Sequence, residues 1–163
     1  ASAAAATLEV VQVGDFEASF VPTVKDFSRL DERFRLPDNA WKELPAYGDY
    51  GFAVFKLKSG AQRIHPMAFS FLNRDNTRLF FPTVHIHDGK VHDRAKFDHV
   101  LYCQPHADQH LALGSKWEES TSHARRFMKL DKCKSIIEPE QHCYRRELRG
   151  SLKNEDTFVD KAA

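Results

Sequence analysis

Apolar and polar residues alternate along several short stretches of the chain, and this period of two predicts β-strands. The predicted strands cover residues 8–13, 16–20, 50–57, 63–71, 79–81, 97–103 and 142–148. Two more strands are predicted, one on each side of Asp88-Gly89. Residues 50–57 are apolar on both faces, which is typical of a central strand. Gly14-Asp15 lies between the first two stretches and predicts a tight turn.

Two stretches follow the helical period instead. The first predicts a short helix with three apolar residues on one face: Phe27, Leu30 and Phe34. The stronger signal is the capping box Ser115-x-x-Glu118, which opens an amphipathic helix predicted over residues 115–128. The inner stripe of this helix consists of Trp117, Thr121, Ala124 and Met128.

Short strands with regular turn signals, set against one firm helix, predict an α+β fold that is dominated by β-structure. We expect an antiparallel meander that forms a curled sheet or a sandwich, with the 115–128 helix packed on it. The length of 163 residues fits a single domain spanning 1–163. Within it, residues 1–7 are predicted to be disordered, and the tail 155–163 is predicted to dock weakly.

Composition narrows the class of protein. The chain is 42% hydrophobic and 29% charged, which is ordinary for a soluble globular protein. Because 24 basic residues balance 23 acidic ones, the basic footprint of a nucleic-acid-binding protein is missing. No run of eighteen apolar residues is present, so no membrane span is predicted. The partner, whether a protein or a small molecule, stays open.

The chain has three cysteines: Cys103, Cys133 and Cys143. Because this number is both low and odd, no disulfide framework is predicted. One bridge with a free thiol remains an alternative. The low count favours a reducing compartment, the cytoplasm. The glycines follow no phosphate-cradling pattern, so no nucleotide cofactor is expected.

The main chemical signal is a group of histidines around Asp88-Gly89. If this dipeptide forms a two-residue turn, His85 faces His92 across the hairpin, and His87 lies on the same face. A longer loop over residues 73–77 would pair His65 with His85 as well. The sequence therefore predicts that His85, His87 and His92 converge, with His65 as a fourth member if the longer loop keeps this register.

Neutral imidazoles that converge in this way suit a divalent transition metal, either zinc or iron or copper. The predicted ligands are His85, His87, His92 and His65, and the possible supplements are Asp88, Asp98 and His99. The role of the metal, whether hydrolytic, oxidative or structural, stays open, and so does enzymatic activity.

The alternative is a non-catalytic module that binds a protein or a ligand and whose histidines are incidental. Cys103-x-x-His106-x-x-x-His110 is a second possible metal cluster, although buried cysteines and loop histidines explain it more simply. Arg125-Arg126 and Arg145-Arg146 are typical of solvated charge pairs, with an anion site as the alternative.

Overall fold

The computed structural model describes residues 6–60, 64–106 and 110–161. The chain forms two compact units. Unit 1 contains the described residues up to Phe71 together with Ile86–Val91, and unit 2 contains Leu72–His85 and the described residues from His92 onward. The prediction of a single domain over 1–163 stays a prediction. Residues 1–5 of the stretch predicted to be disordered lie outside the described ranges.

Unit 1 contains a three-stranded antiparallel sheet in the order β1-β2-β3. Its strands are β1 Val11–Val13, β2 Phe16–Val21 and β3 Phe52–Leu57. Gly14, at a φ of +58°, turns β1 into β2, so that Val13 pairs with Phe16 and the predicted turn is confirmed.

The prediction that residues 50–57 form a central strand is wrong, because β3 lies at the edge of this sheet. Side-chain packing covers both apolar faces of β3. Phe52 and Val54 pack on the buried cluster of unit 1. Phe55 contacts the rings of Phe16 and Phe69.

Short helical turns fill the space beside this sheet. They comprise the 3₁₀ turns Val24–Arg29, Glu32–Phe34 and Pro45–Tyr47 and the five-residue helix α1, Asp38–Lys42. Phe27, Leu30 and Phe34 are buried, as their spacing predicts, but one helix does not carry them. Leu30 has extended backbone at φ −79° and ψ 151°, and this separates the first two turns.

Unit 2 contains two further antiparallel sheets. One pairs β4 Arg78–Phe81 with β8 Thr157–Asp160, and the other has the order β5-β7-β6. In the second sheet β5 is Arg94–Cys103, β6 is Glu118–Glu119 and β7 is Tyr144–Lys153. Residues 157–160 of the predicted tail therefore form a strand, and its Val159 is buried.

The predicted strand pairing of His65 with His85, across a loop over residues 73–77, is wrong. Residues 64–71 form no strand, and Arg63 lies outside the described residues. Phe80 pairs with Phe158 and Phe81 with Thr157. The backbone hydrogen bonds of β4 are thus made with a strand more than seventy residues away. The local turn signal at 73–77 cannot indicate such a distant partner.

The predicted amphipathic helix over 115–128 is also wrong. Glu118 and Glu119 pair with β7, and Ala124–Arg126 form a single 3₁₀ turn. The Ser120 hydroxyl donates to the Ser122 carbonyl at 2.8 Å and accepts from the Cys143 amide at 3.0 Å. Such side-chain bonds to backbone compete with helix formation.

The prediction of antiparallel, β-dominated structure is confirmed. The curled sheet is wrong, because the described strands form open sheets of two or three strands. The sandwich stays a prediction. None of the helices formed by the described residues has the length and apolar character that a bilayer span requires.

Candidate functional site

His65, the predicted fourth ligand, lies in unit 1. Its Nε2 accepts a hydrogen bond from the backbone amide of Asp15 at 3.0 Å, and its Nδ1 is 3.0 Å from the Pro66 carbonyl oxygen. The ring therefore donates through Nδ1 and accepts through Nε2. A Cβ at Gly14 would lie 1.9 Å from Nε2, so the glycine is what allows this approach. The lone pair that a metal would need is engaged with Asp15.

His87 also belongs to unit 1, in the segment Ile86–Val91, and is exposed. Asp88-Gly89 does bend the chain, since Gly89 has a φ of +76° and the Asp88 carboxylate accepts from the Lys90 amide at 3.1 Å. Residues 82–92 form no strand, however. The turn is present without the hairpin that would align the histidines.

His85 and His99 meet in unit 2. Their Nε2 atoms are 2.7 Å apart, and both rings are half-buried. The ring of His85 also stacks on Phe97, with centroids 4.4 Å apart and an interplanar angle of 24°. Phe97 is buried, so a packed wall fixes the orientation of the His85 ring.

Asn154 explains why no hairpin forms here. Its side chain accepts a hydrogen bond from the His85 amide at 2.8 Å and donates to the His85 carbonyl at 2.9 Å. The same amide nitrogen donates to the carbonyl of His92 at 3.0 Å. One side chain thus replaces a neighbouring strand and joins the backbones of His85 and His92.

The structure therefore brings His85 together with His99 and ties the His92 backbone to the same asparagine. Within residues 6–60, 64–106 and 110–161, no three His, Cys, Asp or Glu side chains form a group that could hold a metal ion. In the second predicted cluster, the Nδ1 of His106 lies 3.5 Å from a Glu138 oxygen. The four-histidine site stays a prediction.

A larger feature of unit 2 is a cavity of about 750 Å³, which we call the apolar pocket. It lies against the ends of β5 and β7 that carry Cys103 and Tyr144, with β6 at its margin. The side chains that give it apolar character are Tyr102, Cys103, Phe127, Met128, Ile136, Ile137 and Cys143. Three of them are large and strongly exposed: Tyr102 at 64%, Phe127 at 51% and Ile136 at 62%.

A chain reversal between Met128 and Ile136 builds one wall of this pocket. The 3₁₀ turn Leu130–Lys132 is followed by Lys134 and Ser135, both in the left-handed region at φ 45° and 62°. These two residues reverse the chain, so that residues 127–128 and 136–137 line the same cavity.

Gln104 holds the far side of this wall. Its side-chain nitrogen donates to the Glu138 carbonyl at 3.0 Å, and its side-chain oxygen accepts from the Glu138 amide at 2.9 Å. The buried Ala124 is held by its amide, which donates to the Gln141 carbonyl at 2.9 Å. The segments around the pocket are thus held by hydrogen bonds to the backbone and not by side-chain packing alone.

The thiols on the pocket wall behave as apolar groups. Burial raises the pKa of the Cys103 thiol to about 11, and the nearby Cys143 thiol adds to the rise. Burial also raises the pKa of Cys143, with a smaller contribution from Cys133. Because the thiolate is the nucleophile and the metal ligand, neither wall thiol is activated at neutral pH.

Sequence reasoning named His99 only as a supplement and missed the apolar pocket. The one available signal was the pair of apolar dipeptides, Phe127-Met128 and Ile136-Ile137, on either side of a polar stretch. The chain matches no protein-family model, no curated protein and no solved structure.

Proposed function

We propose that this chain is a non-catalytic binding module that takes up a small apolar molecule in the apolar pocket of unit 2. The observation that carries the proposal is the coincidence of a cavity of about 750 Å³ with three large, exposed hydrophobic side chains. Ligand pockets are commonly about 300–1,000 Å³ and mostly apolar. Exposed apolar patches of this kind mark ligand or partner sites.

The polar groups at the pocket support an apolar occupant because they already have partners. Glu118 pairs with Arg145 at 2.8 Å, and Glu119 accepts from the Tyr144 hydroxyl at 3.3 Å. Gln104 is bonded to the Glu138 backbone. When an apolar ligand displaces water from the pocket, these polar groups keep their hydrogen bonds within the protein, so the cost of desolvating them is small.

The driving force is the removal of apolar surface from water, worth roughly 0.8 kcal/mol per buried methylene. Drug-sized ligands reach about −0.3 kcal/mol per heavy atom, so a 20-atom molecule gives about −6 kcal/mol. That free energy corresponds to a dissociation constant of some tens of micromolar, on the order of 10⁻⁵ M. We expect affinities in this range for a generic apolar ligand.

The test is a fluorescence titration with N-phenyl-1-naphthylamine, which is neutral, apolar and brighter when it leaves water. We expect saturable binding of one molecule per chain. Met128→Glu places a charge on the pocket wall and should weaken binding by at least tenfold, roughly the cost of leaving that carboxylate incompletely solvated.

The matched control is Leu72→Glu, since Leu72 is fully exposed and does not line the pocket. It adds the same charge to unit 2 and should leave the titration unchanged. Circular dichroism and heating of both variants check that they fold. Absence of saturable binding to the unmodified chain, or equal binding by Met128→Glu in a folded state, contradicts the proposal.

A second candidate function is binding of a divalent transition metal centred on His85. The observation that favours it is the 2.7 Å approach of the His85 and His99 Nε2 atoms. Zinc–nitrogen bonds of about 2.0–2.1 Å at tetrahedral angles need a separation of roughly 3.3 Å, so a small ring movement would open the pair. Within unit 2, His92 remains the proposed additional ligand.

Equilibrium dialysis against zinc, followed by metal analysis of protein purified without a nickel column, tests this candidate. His85→Ala should abolish stoichiometric zinc, and His106→Ala should not change it. Zinc content that is absent from the unmodified chain, or equal in His85→Ala, contradicts metal binding at this place.

A further inference from the structure

A second cavity of unit 2, about 320 Å³ in volume, is basic, and we call it the basic pocket. Its lining consists of two hydroxyl side chains and four basic or imidazole side chains: Thr121, Ser122, His123, Arg125, Arg126 and His142. No carboxylate lines it among the residues that the structure describes. The lining is therefore composed of groups that bind anions.

The basic pocket adjoins the apolar pocket. Thr121 lines both cavities. Along the chain, Arg126 lines the basic pocket and its neighbour Phe127 the apolar one. The same change occurs between His142 and Cys143 on the opposite segment. Two chain segments thus pass from a basic surface to an apolar surface at the same place.

Some of the basic side chains of this pocket have ion-pair partners within the protein, and one does not among the residues that the structure describes. Arg125 pairs with Glu140 at 2.9 Å, and the Nδ1 of His123 lies 3.9 Å from the same carboxylate. The side chain of Arg126 differs, because its guanidinium makes no hydrogen bond or ion pair within the described ranges. This arginine can bind a ligand without losing an internal partner.

His142 is held in a defined orientation at the edge of the pocket. Its Nδ1 donates to the Ser120 carbonyl at 2.7 Å, and a Glu119 oxygen lies 3.5 Å from the same nitrogen. Glu118 and Glu119 line the apolar pocket, where they would repel an anion. An anionic head therefore fits beside Arg126, and not beside the carboxylates of Glu118 and Glu119.

We propose that the ligand of the apolar pocket is an amphipathic anion, with its apolar body in that pocket and a carboxylate or phosphate head on Arg126 in the basic pocket. This inference rests on the proposed function, because the apolar pocket must first accept an apolar body. It adds the chemical class of the ligand and the residue that selects it.

The experiment compares dodecanoate with dodecan-1-ol, each below its aggregation limit, as competitors that displace N-phenyl-1-naphthylamine. The two share an apolar chain and differ in charge. Dodecanoate should compete about tenfold better, since a hydrogen bond to a charged group is stronger than a neutral one. Arg126→Gln should remove most of this advantage and leave dodecan-1-ol unchanged. Added sodium chloride should weaken the binding of dodecanoate and leave the binding of dodecan-1-ol unchanged, because salt screens only the charged head.

The matched control is Arg149→Gln. Arg149 lies on β7, pairs with Asp98 and Glu147, and lines neither pocket. It removes the same charge from unit 2 and should leave both competitors unchanged.

Equal competition by dodecanoate and dodecan-1-ol, with no effect of Arg126→Gln, overturns the inference and leaves the proposed function standing. An equal loss in Arg149→Gln also overturns it, because the effect would then come from net charge. If N-phenyl-1-naphthylamine and both competitors fail to bind, the proposed function itself falls, and the inference falls with it.

Discussion

The side chain of Asn154 offers the sharpest test of how unit 2 is held together. Asn154→Ala removes three hydrogen bonds to backbone, of 2.8, 2.9 and 3.0 Å, that join this residue to His85 and His92. The backbone amide of Asn154 donates to the Asp93 carbonyl at 2.9 Å, and the alanine keeps that bond. The substitution therefore isolates the side chain.

The expected loss follows from these three bonds. A protein hydrogen bond contributes about 0.5–1.5 kcal/mol net, and an unpaired partner costs more when it is buried. Asn154 and His85 are half-buried, so water replaces part of what is lost. We expect Asn154→Ala to lower the free energy of unfolding of unit 2 by about 2–3 kcal/mol.

Urea unfolding followed by tryptophan emission measures this loss. Trp117 lies in unit 2, and its ring is 5.9 Å from that of Phe81, whereas Trp41 lies in unit 1. In a Trp41→Phe background the emission reports on unit 2. Asn76→Ala, an exposed asparagine of the same unit, serves as the control and should cost less than about 0.5 kcal/mol.

Asn154→Asp separates the two halves of the interaction. It keeps an acceptor for the His85 amide but directs a negative charge toward two carbonyl oxygens. It should destabilise unit 2 at least as much as the alanine does. If Asn154→Ala and Asn76→Ala unfold at the same urea concentration, Asn154 does not hold this segment, and the reasoning is wrong.

Three further predictions concern other parts of the chain. Leu30→Ala, at a fully buried position, should cost about 2–5 kcal/mol in a urea titration followed by Trp41 emission, and a loss under 1 kcal/mol would contradict the core described for unit 1. Gly14→Ala must displace the ring of His65 and strain a φ of +58°, so it should lower the melting temperature, and an unchanged value would contradict that contact. With the other two cysteines replaced by serine, burial, the larger cause, still raises the pKa of Cys103, so this thiol should be alkylated slowly at pH 8. Its alkylation rate should rise about tenfold per pH unit toward pH 11, and a plateau near pH 9 would contradict this.

The sequence predicted best where the determining contacts are local. Gly14-Asp15 joins two neighbouring strands, and a glycine at positive φ explains that turn without any distant residue. Phe27, Leu30 and Phe34 are buried as predicted, although extended backbone at Leu30 separates the two 3₁₀ turns that hold Phe27 and Phe34. The hydrophobic pattern identifies the buried face more securely than the type of helix.

Prediction failed where a distant residue determines the structure. The capping box at Ser115 favours a helix locally, but Glu118 pairs with Arg145 on β7, and Ser120 bonds to the backbone of Cys143. At Asp88-Gly89 the local signal favours a hairpin, but the backbone of His85 bonds to the distant side chain of Asn154 and not to a neighbouring strand. No pattern within ten residues of either segment contains that information.

In the candidate site, too, the sequence identified residues beside local signals but not the contacts that distant residues determine. His85 was singled out from its position beside a turn, and the structure pairs it with His99, on a strand fourteen residues later. The apolar pocket depends on β5, β6, β7 and a chain reversal that meet only in the folded state. The sequence could supply its apolar residues but not their convergence.

The most direct test of the central claim, that a small apolar molecule occupies the apolar pocket, uses the two methionines of the chain as reporters. Met128 lines the pocket, whereas Met67 lies in unit 1. With ¹³C-labelled methionine methyl groups, a titration with N-phenyl-1-naphthylamine should shift the Met128 signal saturably and leave the Met67 signal in place. A Met128 signal that stays fixed while the amine binds, or that moves together with Met67, would contradict the claim.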